Sequence, residues 1–160
     1  GLDKERQRVS VENAINKAID AAELSRFSML KVQVDLPPGL PMSEANAGLL
    51  QKAFGNIIQY AVSMRGQGEL LVGGIVDGQG FLAISMTGSV MAGEAAPTSA
   101  LLDESNTFLA ELSSGSSPSL RTERLMGLFL AKMIFEYFGG SLVATTSGDP
   151  GFIVRLPEII

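Results

Sequence analysis

The segment that most constrains this chain runs from Glu123 to Gly140. Glu123-Arg-Leu-Met-Gly-Leu-Phe-Leu-Ala-Lys-Met-Ile-Phe-Glu-Tyr-Phe-Gly-Gly140 reads as a largely apolar helix closed by a glycine pair. Glycine reaches the left-handed backbone conformation that ends a helix, so Gly139-Gly140 predicts its C-cap. Ser141-Leu-Val-Ala-Thr-Thr146 follows as a strand, Ser147-Gly-Asp-Pro-Gly151 as a turn, and Phe152-Ile-Val-Arg-Leu-Pro157 as a second strand.

The chain has 160 residues, 46% of them hydrophobic, which suits one domain with a sizeable core. Twelve basic against seventeen acidic residues leave a net charge of -5. That balance, with no basic stripe, argues against nucleic-acid binding. No stretch approaches the roughly 20 consecutive apolar residues of a membrane span, so no membrane contact is expected of this domain. Cysteine and histidine are both absent. Their absence removes disulfides, thiolate chemistry, any nucleophile activated by histidine, and any histidine-ligated metal site. A cytoplasmic protein is the expectation. A start at Gly1 in place of methionine suggests a piece of a longer protein.

Upstream, Ser10 can cap a helix from about Val11 to Leu24, with Val11, Ala14, Ile15, Ala18, Ile19 and Ala22 as its apolar stripe. Met29 to Asp35 alternates as a half-buried strand. Leu36-Pro-Pro-Gly-Leu-Pro41 breaks it, and Ser43 is expected to cap a long helix to about Met64. Leu50, Phe54, Ile57 and Ala61 form the core stripe of that helix, with Asn56, Tyr60 and Ser63 on an adjoining face. Glu69 to Val76 and Phe81 to Thr87 are strands, joined by the hairpin turn Asp77-Gly78-Gln79-Gly80. From about 89 to 120 the pattern dissolves into small and polar residues. Ser113-Ser-Gly-Ser-Ser-Pro-Ser119 has the composition of a linker, and Leu101 to Leu112 suits a short helix. A loop this long in a compact domain reads as a lid or as disorder. The order of elements predicts an α+β two-layer sandwich: a mixed, mostly antiparallel sheet with helices on one face.

This order resembles the Bergerat-type ATP-binding fold, and above all the catalytic domain of histidine kinases, over nearly the whole chain. Leu49-Leu-Gln-Lys-Ala-Phe-Gly-Asn-Ile-Ile-Gln-Tyr-Ala61 is similar to the family's N-box helix, with its pattern Asn-Leu-Leu-x-Asn-Ala. Asn56 fills the first asparagine, and Tyr60 stands where the second would help hold magnesium. Mg²⁺ favours hard oxygen ligands in near-octahedral geometry, which a neutral phenol serves poorly. Leu82-Ala-Ile-Ser-Met-Thr-Gly-Ser-Val90 resembles the strand entering the Asp-x-Gly-x-Gly box. Gly88 aligns with the first glycine, while Met86 replaces the aspartate that pairs with adenine and Val90 replaces the second glycine. A thioether is only a weak acceptor, and an unpaired buried donor costs about 1–3 kcal/mol. Leu125-Met-Gly-Leu-Phe-Leu-Ala131 resembles the Gly-x-Gly-Leu-Gly-Leu-Ala box. Gly127 keeps the middle glycine, and Leu125 and Phe129 replace the outer two, where backbone N–H groups would face phosphates.

The resemblance implies a two-component signalling module whose nucleotide pocket (Asn56, Tyr60, Met86, Gly88, Gly127, Phe129) is degenerate. ATP binding would be weak or absent, no cofactor is expected, and the chain by itself would not be an active ATP-dependent kinase. Its partner would be a response-regulator receiver domain or another signalling protein, as for histidine phosphotransferases with a catalytic-like domain. A helical dimerisation hairpin would precede this segment. The alternative is a divergent sensor kinase that still binds ATP and Mg²⁺ through Asn56, Gly88 and Gly127. Blander readings stand beside these. Asn56 could simply bond to a neighbouring segment, Met86 and Phe129 could be core, and Arg121 and Arg124 could be solvated residues on the helix's first turn. Asp103 and Glu111 read as lid surface.

Overall fold

Alternation of apolar residues sets the inner face of the sheet. In the computed structural model, which describes residues 6–92, 120–145 and 148–159, the strands are β1 (Gln7–Ser10), β2 (Leu30–Asp35), β3 (Met42–Ala45), β4 (Gly68–Val76), β5 (Phe81–Thr87), β6 (Ser141–Ala144) and β7 (Gly151–Pro157). Three α-helices are described: α1 (Val11–Ala21), α2 (Ala47–Arg65) and α3 (Leu120–Tyr137). Leu70 and Val72 of β4, Leu82, Ile84 and Met86 of β5, and Phe152, Val154 and Leu156 of β7 are all buried. Their neighbours in sequence turn to the other face, as a period of two requires.

Five strands form the main sheet in the order β2-β4-β5-β7-β6. Only β2–β4 is parallel; β4–β5, β5–β7 and β7–β6 are antiparallel. A parallel pair needs a long crossover, and α2 supplies it. α2 packs against both α1 and α3, and these helices and the inner sheet face share one hydrophobic cluster. Phe54 of α2 meets Phe135 of α3 with ring centroids 5.1 Å apart. Burial of such a side chain contributes about 1.5–3 kcal/mol. The α+β two-layer arrangement expected from the sequence is therefore the one observed.

Helix ends follow local hydrogen-bond chemistry. Ser10 Oγ accepts from the Asn13 N–H at 3.1 Å and starts α1. α1 stops at Ala21, short of the expected Leu24. Glu23 takes a left-handed conformation (φ 50°), and Leu24–Arg26 coil into a 3-10 turn. The start of α2 also differs from expectation. Asn46, not Ser43, is the cap, its Oδ1 accepting from the Leu49 N–H at 2.9 Å. Ser43 belongs to β3 instead, where it is fully buried and donates its hydroxyl to the Pro157 carbonyl at 2.8 Å. β3 pairs with β1 in a small antiparallel sheet that the sequence pattern does not reveal.

At the far end of α3, Gly139 (φ 86°) and Gly140 form the expected cap. The Gly140 N–H reaches the Phe135 carbonyl at 2.8 Å and the Gly139 N–H reaches the Glu136 carbonyl at 3.0 Å, the Schellman pattern. β6 ends at Ala144 rather than Thr146. In the β4–β5 turn, Asp77 Oδ1 accepts from the N–H groups of Gln79 and Phe81, and Oδ2 accepts from Arg155. The Gln79 N–H first, and then Arg155, hold the Asp77 carboxyl below its ordinary value. Of the expected lid, Ser89–Met91 form a 3-10 turn and Leu120 already belongs to α3. Leu101–Leu112, Asp103 and Glu111 lie outside the described residues, as does the side chain of Arg121.

Candidate functional site

Asn56 and Tyr60 stand one turn apart on α2, so they share a helix face. Each meets a different wall. The Asn56 amide donates to the Gly127 carbonyl of α3 at 3.0 Å. A carbonyl has two lone pairs, so Gly127 can accept this bond beside its helical one. One turn on, Tyr60 is 3% exposed. Its ring meets Phe152 of β7 edge-on, with centroids 5.9 Å apart and planes at 75°.

Phe152 sits opposite Met86 in the β5–β7 ladder. Met86 and Phe152 are both fully buried, as are Val90 and Met91 in the turn after β5. On α3, Leu125 is buried and Phe129 is half-buried against the same cluster. The helix and strand positions singled out in the sequence are thus brought to one end of the helix–sheet interface, where apolar side chains dominate. This supports the core reading of Met86 and Phe129, and it supports the reading of Asn56 as a bond to a neighbouring segment.

The two glycines that match the family's motifs have structural explanations. Gly88 has φ 135°, and a Cβ there would run into the Glu69 backbone carbonyl on β4. Its N–H donates to the Pro150 carbonyl at 3.0 Å, tying β5 to the β6–β7 turn. A backbone in that region with a neighbour this close admits only glycine. At Gly127 a Cβ would lie 3.5 Å from Asn56 Cγ, an ordinary contact. Gly127 therefore lets α2 and α3 approach without being strictly required.

Among the described residues no group of three or more acids could hold a metal ion. Arg124, at the start of α3, has its Nε buried without a hydrogen-bond partner. Sequence reasoning did not single out Phe152 or the Glu69 carbonyl. Phe152 could have been found from the alternation of β7, because its strand places it on the inner face; the carbonyl leaves no trace in residue type.

No protein-family model matches the sequence, and neither does any curated protein. Solved structures do match. The chain is similar to a mycobacterial sensor histidine kinase, MprB, at 18% identity and a TM-score of 0.69, covering 96% of this chain and 97% of that one. It is similar to the catalytic domain of the histidine kinase ThkA in a nucleotide-free form, at 16% identity and a TM-score of 0.72, covering 96% of each chain. It also matches ShkA, solved full-length in complex with AMPPNP, at 19% identity and a TM-score of 0.63, covering 96% of this chain and 31% of that one. At these identities the likeness is one of fold. The chain has the fold of a histidine-kinase catalytic domain, as the three sequence boxes led one to expect. No helix among the described residues is long and apolar enough to cross a membrane.

Proposed function

We propose that this chain is a two-component signalling module in which the histidine-kinase catalytic fold persists as a docking platform after its nucleotide site has filled with side chains. The observation that carries this reading is the buried contact of Tyr60 with Phe152, beside Met86. By the sequence resemblance, Tyr60 takes the place of a magnesium ligand and Met86 that of the adenine acceptor. A phenol and a thioether do not suit Mg²⁺ or the adenine amino group. Leu125 and Phe129 likewise replace glycines where a phosphate would need the backbone bare. The residues present therefore do not fit Mg-ATP. A rigid sheet-and-helix body remains, suited to holding a response-regulator receiver domain while a histidine elsewhere in the protein exchanges its phosphoryl group with it.

Calorimetric titration of the chain with Mg-ATP tests the proposal. The expected result is no heat of binding at nucleotide concentrations up to about 1 mM, the equivalent of roughly 4 kcal/mol. Binding tighter than about 100 μM, roughly 5.5 kcal/mol, would overturn it and restore the reading of a divergent working kinase domain.

A further inference from the structure

The acids of this chain are unevenly placed. There are seventeen of them, yet α2, from Ala47 to Arg65, has none. The outward face of α2 borders an open groove beside α1. One lobe of the groove, about 480 Å³, lies among Arg8, Asn13 and Lys17 on one side and Gly48 and Gln51 on the other. A second lobe, about 450 Å³, continues past Gly48 and Gln51 to Lys52, Gly55 and Gln59, with Ala18 and Ala21 of α1 opposite. No acidic residue lines either lobe; Glu12 and Asp20 of α1 stand outside them. Three cations do line the groove, Arg8, Lys17 and Lys52, and all are exposed. None of the three makes an ion pair among the described residues, although the β1–β3 ladder sets Glu44 opposite Arg8. Unpaired cations along one groove, in a chain of net charge -5, give it a local potential that favours an anionic partner.

The floor of the groove narrows the choice of partner. Gly48, Lys52, Gly55 and Gln59 recur at intervals of four, three and four residues. This is the 3.5-residue period along which one helix packs on another. Glycine is the poorest helix former after proline, and neither Gly48 nor Gly55 has the positive φ that would call for it. A Cβ at Gly55 would meet nothing within 4 Å, and one at Gly48 would lie 3.4 Å from Asn46 Oδ1 and touch nothing else. Nothing inside the chain therefore requires these glycines, whereas a bare backbone lets a second helix approach closely. We infer that the α1–α2 groove binds one acidic helix of a partner protein, small at the positions over Gly48 and Gly55 and carrying carboxylates toward Arg8, Lys17 and Lys52. From Gly48 to Gln59 the seam is about 17 Å long, so about three turns of partner helix cover it. Such docking is the helix-in-groove mode of recognition. A second copy of α2 would bring cations to cations. The inference is separate from the reading of the nucleotide site: Asn56 borders the groove, but its amide is already given to the Gly127 carbonyl, and titrations with Mg-ATP and with a peptide fail independently.

The probe is a fluorescent peptide of about 18 residues, alanine-rich so that it is helical alone, with alanine at the seam positions and glutamate on both flanks. A lysine-flanked twin and a proline-broken acidic peptide of the same charge are the controls. Fluorescence anisotropy should show the acidic helix binding at about 10–100 μM and both controls about tenfold or more weaker. Gly55→Leu, whose side chain enters the groove from a site with open space around it, should keep the circular-dichroism melt and lose about tenfold or more in affinity. The double variant Lys17→Glu with Lys52→Glu, at two exposed positions, should also keep its melt and prefer the lysine-flanked twin. No binding of the acidic helix, equal binding of either control, or undiminished binding by Gly55→Leu would each sink the inference. Displacement of the peptide by millimolar inorganic phosphate at constant ionic strength would overturn it in favour of a small anion. A dimer seen by sedimentation that Gly55→Leu dissolves would overturn it in favour of a second copy.

Discussion

Replacing Tyr60 by alanine asks whether the end of the helix–sheet interface is packed core or an open pocket. If Tyr60 merely lined a solvent-filled cleft, its removal would cost little, within the roughly 0.5 kcal/mol of a surface change. The structure instead gives Tyr60 a fully packed position with an edge-on contact to Phe152. Deleting a buried aromatic ring typically costs about 3–5 kcal/mol through lost transfer energy and the cavity left behind. For a chain of this length each kcal/mol lowers the melting temperature by about 2–4 °C, so the variant should melt roughly 6–20 °C lower. The aromatic pair adds its own signature. A double-mutant cycle with Phe152→Ala should return a coupling of about 0.5–1.5 kcal/mol. Scanning calorimetry with matched urea denaturation reads both quantities. A melting shift under about 3 °C, with no coupling to Phe152, would refute the packed-core account and reopen the pocket.

Gly88→Ala should destabilise by about 2–5 kcal/mol, because it adds backbone strain to a collision with the Glu69 carbonyl. Gly78→Ala, in a turn with open space around it, should cost only about 1–2 kcal/mol; equal losses in urea melts would contradict this. Asn56→Ala should cost about 1–2 kcal/mol in the same assay by removing the bond to the Gly127 carbonyl. No loss would mean that this bond does not help to hold α2 against α3. Asp77 has its carboxyl held below the ordinary value of 3.8, so its contribution is present above that value and fades as pH falls through the lower folded value. Asp77→Asn should therefore lower the urea midpoint near neutral pH and match the parent in strong acid; a gap that persists there would contradict the assignment.

What the sequence made legible, and what it hid, follows from the range of the signals. β5 was readable to its ends, Phe81 and Thr87, because its alternation is uninterrupted and Asp77 to Gly80 make an unambiguous turn. The glycine cap of α3 was readable for the same local reason. Ser43 misled because a serine before a helical pattern looks like a cap. Its actual role is a bond to Pro157, far along the chain, which no local window contains. β1 and β3 have no hairpin turn between them to mark them, as the turn at 147–151 marks β6, and they exist through pairing with one another across α1 and β2. At the candidate site, the residue types at Tyr60, Met86 and Phe129 depart from the motifs of the family that the sequence resembles. That Phe152 was the group meeting Tyr60 depended on sheet register, and register is a tertiary property.

The place of β7 in the sheet has a consequence for how this domain comes into being. It is the last strand to be synthesised, yet it lies between β5 and β6. Until it emerges from the ribosome, β5 presents a bare hydrogen-bonding edge and β6 has no strand to join. Unpaired edges of this kind invite association with other chains. Pairing on that side of β5, and the attachment of β6, therefore wait for β7. Premature termination before Gly151 removes the strand that joins β6 to the rest of the sheet. Such products should be cleared by proteolysis rather than accumulate.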